Sequence, residues 1–178
     1  MSNGDAWLQT FRGGRIHPLD PTPDEIDIED IAHALSMQCR FGGHVKRFYS
    51  VATHSVYVSM IVAPEHALQG LLHDGSEFAL TDCPTPLKRT AAFDEYRAAE
   101  KRLQSMIYEK FGCSVIEHPS VKEADKIMLA TEAVQLLGPL LPEWQLPVGV
   151  QPLGWKLEPL PPHEAKRQFL SRFQELSK

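Results

Sequence analysis

Apolar residues recur every three to four positions through most of this chain, and glycine and proline cut the segments that show this period apart. That period marks helices buried along one face, whereas no strand-type alternation persists for long. In "DEIDIEDIAHALSMQC" it groups Ile28, Ile31, Ala32 and Leu35, before Gly42 and Gly43 end the helix. In "YSVATHSVYVSMIVA" it groups Val51, His54, Ser55, Val58, Ile61 and Val62. "PEHALQGLLHDGSEFAL" reads as one helix with Pro64 in its first turn, a favoured place for proline. "FDEYRAAEKRLQSMIYEKFG" puts Tyr96, Ala99, Leu103, Met106, Ile107 and Phe111 on one face and stops at Gly112. "SVKEADKIMLATEAVQLLG" opens with Ser120 and Glu123 in a capping-box spacing. "PHEAKRQFLSRFQELSK" closes the chain as an amphipathic helix over 162–177, with Phe169, Leu170, Phe173 and Leu176 inward.

Two stretches fall outside this pattern. Residues 1–24 read as an irregular segment broken at Gly13, Gly14, Pro18, Pro21 and Pro23. Residues 139–161 hold six prolines and two glycines and read as a loop wrapping the surface. The 178 residues therefore predict a single all-α domain, long enough to bury a core.

Charge narrows the partners. Lys and Arg total 18 against 23 Asp and Glu, a net of −5, which argues against a duplex-DNA binder working by phosphate neutralisation. Cys39, Cys83 and Cys113 form no CxxC pair and read as reduced thiols of a cytoplasmic protein. The N-terminus shows no secretory pattern, and no apolar run approaches the ~18–20 residues of a membrane span.

The unusual stretch is "LLHDGSEFALTDCPTPLKR", residues 71–89, which begins as an apolar helix face and then carries His73, Asp74, Glu77, Asp82, Lys88 and Arg89. Neighbours on a helix differ in direction by ~100°, so His73 and Asp74 can reach one ion lying over the edge between them. Glu77 lies one turn beyond His73 on the same side. His54 interrupts an apolar stripe, and Asp125 sits between Ala124 and Met128 in another helix. Singly, such residues are more often core histidines or capping carboxylates. Together they would cost several kcal/mol each to bury unpaired, a cost that a divalent cation removes. The predicted ligands are His54, His73, Asp74 and Asp125. Two imidazoles and two carboxylates suit Zn, Co, Mn, Ni or Fe better than Mg, which prefers oxygen alone.

These residues and their surroundings, "ATHS", "LLHDGSE" and "KEADK", resemble the HD superfamily of metal-dependent phosphohydrolases over roughly residues 35–135. The string "HDGSEFALTDCPTPLKR" is most similar to the nucleotide-acting branch, such as bacterial 5′-deoxynucleotidases and phage dATP triphosphohydrolases. The resemblance implies an all-helical fold and attack on phosphorus by a metal-activated water. It implies Glu77 and then Asp82 as the acid–base carboxyls, and Lys88 and Arg40 as contacts to phosphate or sugar. Phe41 would stack on a base, with His44 and Pro86 as further substrate contacts; Arg47 and Arg89 could add charge. A second ion such as Mg could accompany the phosphates. The expected substrate is a small nucleotide, a purine deoxynucleotide such as dATP or dAMP, and the expected assembly a homo-oligomer. The chain departs from those relatives in two places: only 19 positions separate His54 from His73, and its first 25 residues have no counterpart in the compact deoxynucleotidases. Two other functions compete: a di-iron oxygenase, in which His44 would help hold a second metal, and a non-catalytic nucleotide-binding module.

Overall fold

The computed structural model describes residues 6–144 and 146–178. It is mostly helical: α1 (Ile28–Met37), α2 (Val51–Ile61), α3 (Ala67–Leu72), α4 (Glu77–Leu80), α5 (Thr85–Lys88), α6 (Asp94–Lys110), α7 (Pro119–Leu136) and α8 (Pro162–Leu176). The central element is α2, whose apolar residues spread around the helix instead of forming one stripe. Such a helix is stable only when covered on all sides. It packs against α1, α3, α7 and α8. Val51 and Ala52 join the core built with α1, α3, α6 and α8, while Val58 joins a second cluster with Tyr49, Met128 and Leu157.

The N-terminal segment is more ordered than its composition suggests. Leu8–Gln9 and Arg15–Ile16 form strands β1 and β2 of a small antiparallel hairpin. Gly13, at φ 85, lets the connecting turn close, and the Thr10 amide donates to the Gly14 carbonyl at 3.0 Å. The Arg15 guanidinium lies 4.9 Å from the Trp7 ring centre, and Ile16 is buried against the main core. Strands of two residues are too short to register as alternation. The first five positions of the segment expected to be irregular lie outside the described residues.

The helix expected over residues 64–80 is interrupted. A 3₁₀ turn at Pro64–His66 leads into α3, the chain tightens through His73–Ser76, and α4 follows. Gly75 marks the reason. A β-carbon there would lie 2.9 Å from the Leu72 carbonyl oxygen and 3.2 Å from the Ile107 side chain. The backbone groups released by the break are taken up by Gln104 of α6. Its Nε2 donates to the Leu72 carbonyl at 2.7 Å, and its Oε1 accepts from the Ser76 amide at 2.9 Å.

At α7 the helix begins earlier than the capping-box reading places it. Pro119 occupies the first turn, and the His118 side chain, not Ser120, caps it by accepting from the Ser120 amide. Proline's fixed φ suits that first position. The proline-rich loop contains no helix or strand among its described residues, and Gln145 lies outside them. It is tied to α7 through polar side chains: the Leu153 amide donates to Thr131 Oγ1 at 2.9 Å and the Leu157 amide to Gln135 Oε1 at 3.0 Å. No helix among the described residues is long and apolar enough to cross a membrane.

Gly75→Ala is expected to destabilise the chain by about 1–3 kcal/mol, the usual cost of inserting volume into a tight contact. Urea unfolding of the two proteins measures it, and equal midpoints would show that the turn has room.

Candidate metal centre

Three elements bring the ligand candidates together. His54 stands in the second turn of the buried helix α2, whose N-terminus is fixed by Ser50 accepting from the Thr53 amide. His73 ends α3 with helical dihedrals, and Asp74 follows it into the break. Asp125 comes from α7. His54, His73 and Asp74 each place one ligand atom within 4.8 Å of the others. Asp125 Oδ1 adds a fourth, 3.2 Å from His54 Nε2 and 3.9 Å from His73 Nε2.

The remaining separations are of one size. His54 Nε2 and His73 Nε2 are 3.3 Å apart; Asp74 Oδ2 is 3.3 Å from His73 Nε2 and 3.7 Å from His54 Nε2. Ligands bonded at about 2.1 Å around one ion sit about 3.0–3.4 Å apart along an octahedral or tetrahedral edge. Three of the five separations lie in that range and the other two, at 3.7 and 3.9 Å, exceed it by a few tenths, so the group could hold one ion after a small shift. The imidazoles are buried while Asp74 and Asp125 keep 21% and 38% of their side chains exposed, so the cluster opens to solvent on its carboxylate side.

Both imidazoles are oriented from behind. His54 Nδ1 is 2.7 Å from Glu132 Oε1, and His73 Nδ1 is 2.8 Å from the Gly70 carbonyl. Since a carboxylate and a carbonyl only accept, both Nδ1 atoms carry the proton. When the rings are neutral, both Nε2 atoms therefore turn lone pairs into the cluster. Two acceptors 3.3 Å apart, flanked by two carboxylates, require a cation between them, a proton or a metal ion.

Without a metal, protons serve. Burial disfavours a charged His73, but Asp74, by charge and hydrogen bond, and then Asp125 outweigh it and push the imidazole up to about 10. Burial likewise opposes the charge on Asp74, yet His73, His54 and Arg40 hold its carboxyl far below the usual carboxylate range. Glu77 behaves oppositely. Burial first, and then the charges of Asp74 and Asp82, push it well above an ordinary carboxyl, with Lys88 and Arg40 only partly offsetting them. Its Oε2 is buried and has no hydrogen-bond partner among the described residues.

The other expected residues divide. Lys88 Nζ lies 3.6 Å from Glu77 Oε1 and is also gripped by Glu100, with the Tyr96 ring 5.7 Å away. Asp82 is half-buried, and burial raises its carboxyl ahead of the opposing charge of Arg40. Arg40 is next to the cluster, with two of its three guanidinium nitrogens committed to Glu132. Its Nε and Nη2 donate to Glu132 Oε2 at 3.2 and 3.0 Å, leaving Nη1 3.6 Å from Asp74 Oδ2. Phe41 is half-buried with φ 56, a left-handed conformation that costs a bulky residue about 1–3 kcal/mol. His44 and Pro86 are exposed, and His44 has no hydrogen bond or ion pair to the cluster among the described residues.

Three contributors went unread in the sequence. Glu132 lies seven positions after Asp125, two turns along one face of α7, a spacing that could have revealed it. Gln38 donates to the Glu77 carbonyl at 2.9 Å and accepts from the Asp82 amide at 2.8 Å, clamping the two acids together. Glu100 is one turn before Gln104 on α6 and gave no signal of its own. A cleft of about 400 Å³ between the hairpin and α1, lined by Phe11, Asp30 and Phe78 among others, includes none of the cluster's residues.

Fold and site together define a helical protein with a His/His/Asp cluster assembled from separate helices. The chain belongs to the family of YfdR from Escherichia coli (strain K12), to which it is 38% identical over 173 residues, 97% of this chain and 96% of that protein. It is also 34% identical over 190 residues to RCAP_rcc00048 of Rhodobacter capsulatus, covering 96% of this chain and 95% of that one. Both relatives carry the name "uncharacterized protein". No family model matches the chain.

The raised His73 makes the metal-free protein sensitive to alkali. A folded-state value of about 10 against an ordinary 6.5 adds stability that is complete below pH 6.5 and is lost as pH rises towards 10. Denaturant unfolding of chelator-treated wild type and His73→Gln should therefore show a stability gap that narrows over this range. A gap independent of pH would mean that His73 is not charged when the metal is absent.

Proposed function

We propose that this protein is an HD-type metal-dependent phosphohydrolase of deoxynucleoside phosphates. The observation that carries the reading is the pair of imidazoles whose Nδ1 protons are committed elsewhere and whose Nε2 atoms face each other, 3.3 Å apart, between Asp74 and Asp125. The donor chemistry and spacing fit a divalent transition ion held by His54, His73, Asp74 and Asp125. Such an ion supplies Lewis-acid stabilisation of a phosphoryl group and a water of lowered pKa.

The chain's own residues support the proton traffic. Glu77, whose carboxyl burial and the charges of Asp74 and Asp82 push well above its ordinary value, could hand a proton to a departing oxygen. Lys88, placed by the short helix α5, stands beside Glu77 and can meet a phosphate oxygen. Asp82, fixed to the Glu77 backbone through Gln38, is the second acid–base group. Phe41, held in a strained conformation at the start of the Arg40–Gly43 turn, offers a flat face for a base. The di-iron reading would need His44 among the ligands, and among the described residues the candidate ligand group is His54, His73 and Asp74.

The cations favour one phosphate over three. Arg40 is engaged by Glu132 and Lys88 by Glu100, while Arg47 and Arg89 are exposed. Few positive groups remain for a triphosphate tail, which would have to bring its own Mg. A 5′-monophosphate could rest its charge on the metal alone. The preference for a purine follows from the larger face it presents to Phe41, whereas that for adenine and deoxyribose rests on the resemblance.

Asp74→Ala is expected to abolish both metal uptake and hydrolysis with the helices intact, read by metal analysis, a phosphate-release assay and circular dichroism. Glu77→Gln should keep its metal and lose turnover by about 10²–10⁴-fold, the usual worth of a positioned acid–base group. Loss of metal in that variant would make Glu77 a ligand instead. Across dAMP, dATP, dGTP, AMP and ATP under Mn²⁺ or Co²⁺, dAMP should be hydrolysed best. A preference for triphosphates, ribonucleotides or non-nucleotide esters would count against the substrate assignment and leave the metal centre standing.

A further inference from the structure

We infer that Glu132 is the positioning residue of the metal centre, fixing His54 as an Nε2 ligand and neutralising Arg40, so that Arg40 braces the site from behind instead of binding substrate. This rests on the metal-centre reading above. Asp125 and Glu132 lie two turns apart on α7, so one rigid helix carries both a ligand and the brace of another ligand.

Both oxygens of Glu132 are spent. Oε1 accepts the Nδ1 proton of His54 at 2.7 Å, and Oε2 accepts from Nε and Nη2 of Arg40. The side chain is fully buried, as is that of His54, so water cannot replace either contact. An imidazole without such a partner can place its proton on either nitrogen, and only one tautomer leaves Nε2 free for a cation.

Charge gives Glu132 a second task. Asp74 and Asp125 with two neutral imidazoles sum to −2, the complement of a divalent ion. The Arg40 guanidinium, 3.6 Å from Asp74, would upset that balance and compete with the ion for the same carboxylate. Glu132 cancels it, and the two-donor fork onto Oε2 commits two of the three guanidinium nitrogens, leaving only Nη1 towards Asp74. Arg40 is held on its other side by the backbone: its amide donates to the Tyr49 carbonyl at 2.9 Å beside the Cys39–Ser50 bridge.

The test is a Co²⁺ titration of chelator-treated wild type and Glu132→Gln, followed by visible absorption, with far-ultraviolet circular dichroism as a check on folding. The variant should retain its helices, bind Co²⁺ about 10–100-fold more weakly, and show a changed cobalt spectrum, as loss of a partner behind a ligating histidine generally does. Equal affinity with an unchanged spectrum overturns the role of Glu132. Should the variant not fold, two-bond nitrogen–proton NMR correlations of wild type with Zn²⁺ decide. A proton on Nδ1 of His54 is expected, and a proton on Nε2 overturns the proposal. Wild type that takes up no divalent ion removes the metal-centre reading itself. Uptake by wild type with an undisturbed variant removes only the part played by Glu132.

Discussion

The structure is organised around the contact between His54 and Glu132, two ionisable side chains buried completely where the middle of α2 meets α7. Desolvating an imidazole–carboxylate pair is costly unless every polar atom is engaged. Here every one is: Glu132 has His54 on one oxygen and Arg40 on the other, while His54 has Glu132 on one nitrogen and the cluster on the other. Much of the fold can be understood as cover for this pair. Helices α1, α3, α7 and α8 surround α2, and the Cys39–Ser50 bridge closes the loop that delivers Arg40. The proline-rich strap is fastened to α7 through Thr131, the residue before Glu132, and Gln135.

The interruption after α3 makes the rest of the site possible. His73 keeps helical dihedrals, so its imidazole is aimed by α3 and locked by the Gly70 carbonyl one turn back. Beyond it the chain must turn to bring Asp74 beside the same two imidazoles, with Glu77 following at the start of α4. Only a residue without a β-carbon fits where Gly75 approaches Leu72 and Ile107. Gln104 then satisfies the freed amide and carbonyl, so the turn carries no orphaned polar groups.

How much of this was legible follows from the kind of signal each feature leaves. Long helices write their period into the chain, and α1, α2, α6, α7 and α8 were readable within a few residues. Histidines and aspartates on apolar faces advertise themselves, and His54, His73, Asp74 and Asp125 do converge. The hairpin was unreadable because two-residue strands have no period. The break after His73 depends on Ile107 and Gln104, partners about thirty positions away that no local pattern announces. Pairing was the larger gap. Arg40 and Lys88 look in the sequence like free cations awaiting phosphate, but a carboxylate remote in sequence claims Arg40, and Glu100, across the turn into α6, claims Lys88. Gln38 left no trace because an uncharged amide carries no sign of whether it solvates a surface or bridges two acids.

That bridge bears on how the acids could work. Gln38 holds the Glu77 carbonyl and the Asp82 amide with one side chain, and so sets their spacing before any ligand arrives. Tyr96 adds hydrogen bonds to the Leu80 and Thr81 carbonyls between them. Thr81, at φ 64, is forced into a left-handed conformation that a threonine rarely adopts, and these contacts are what over-determine it. The segment is therefore preorganised, with its strain balanced by the contacts of Gln38 and Tyr96. Preorganised groups need little rearrangement when charge develops, which is where fixed groups outperform mobile water. Asp74 and Asp125 keep part of their side chains in water, whereas Glu77 is buried and Asp82 half-buried, both held at the backbone by Gln38.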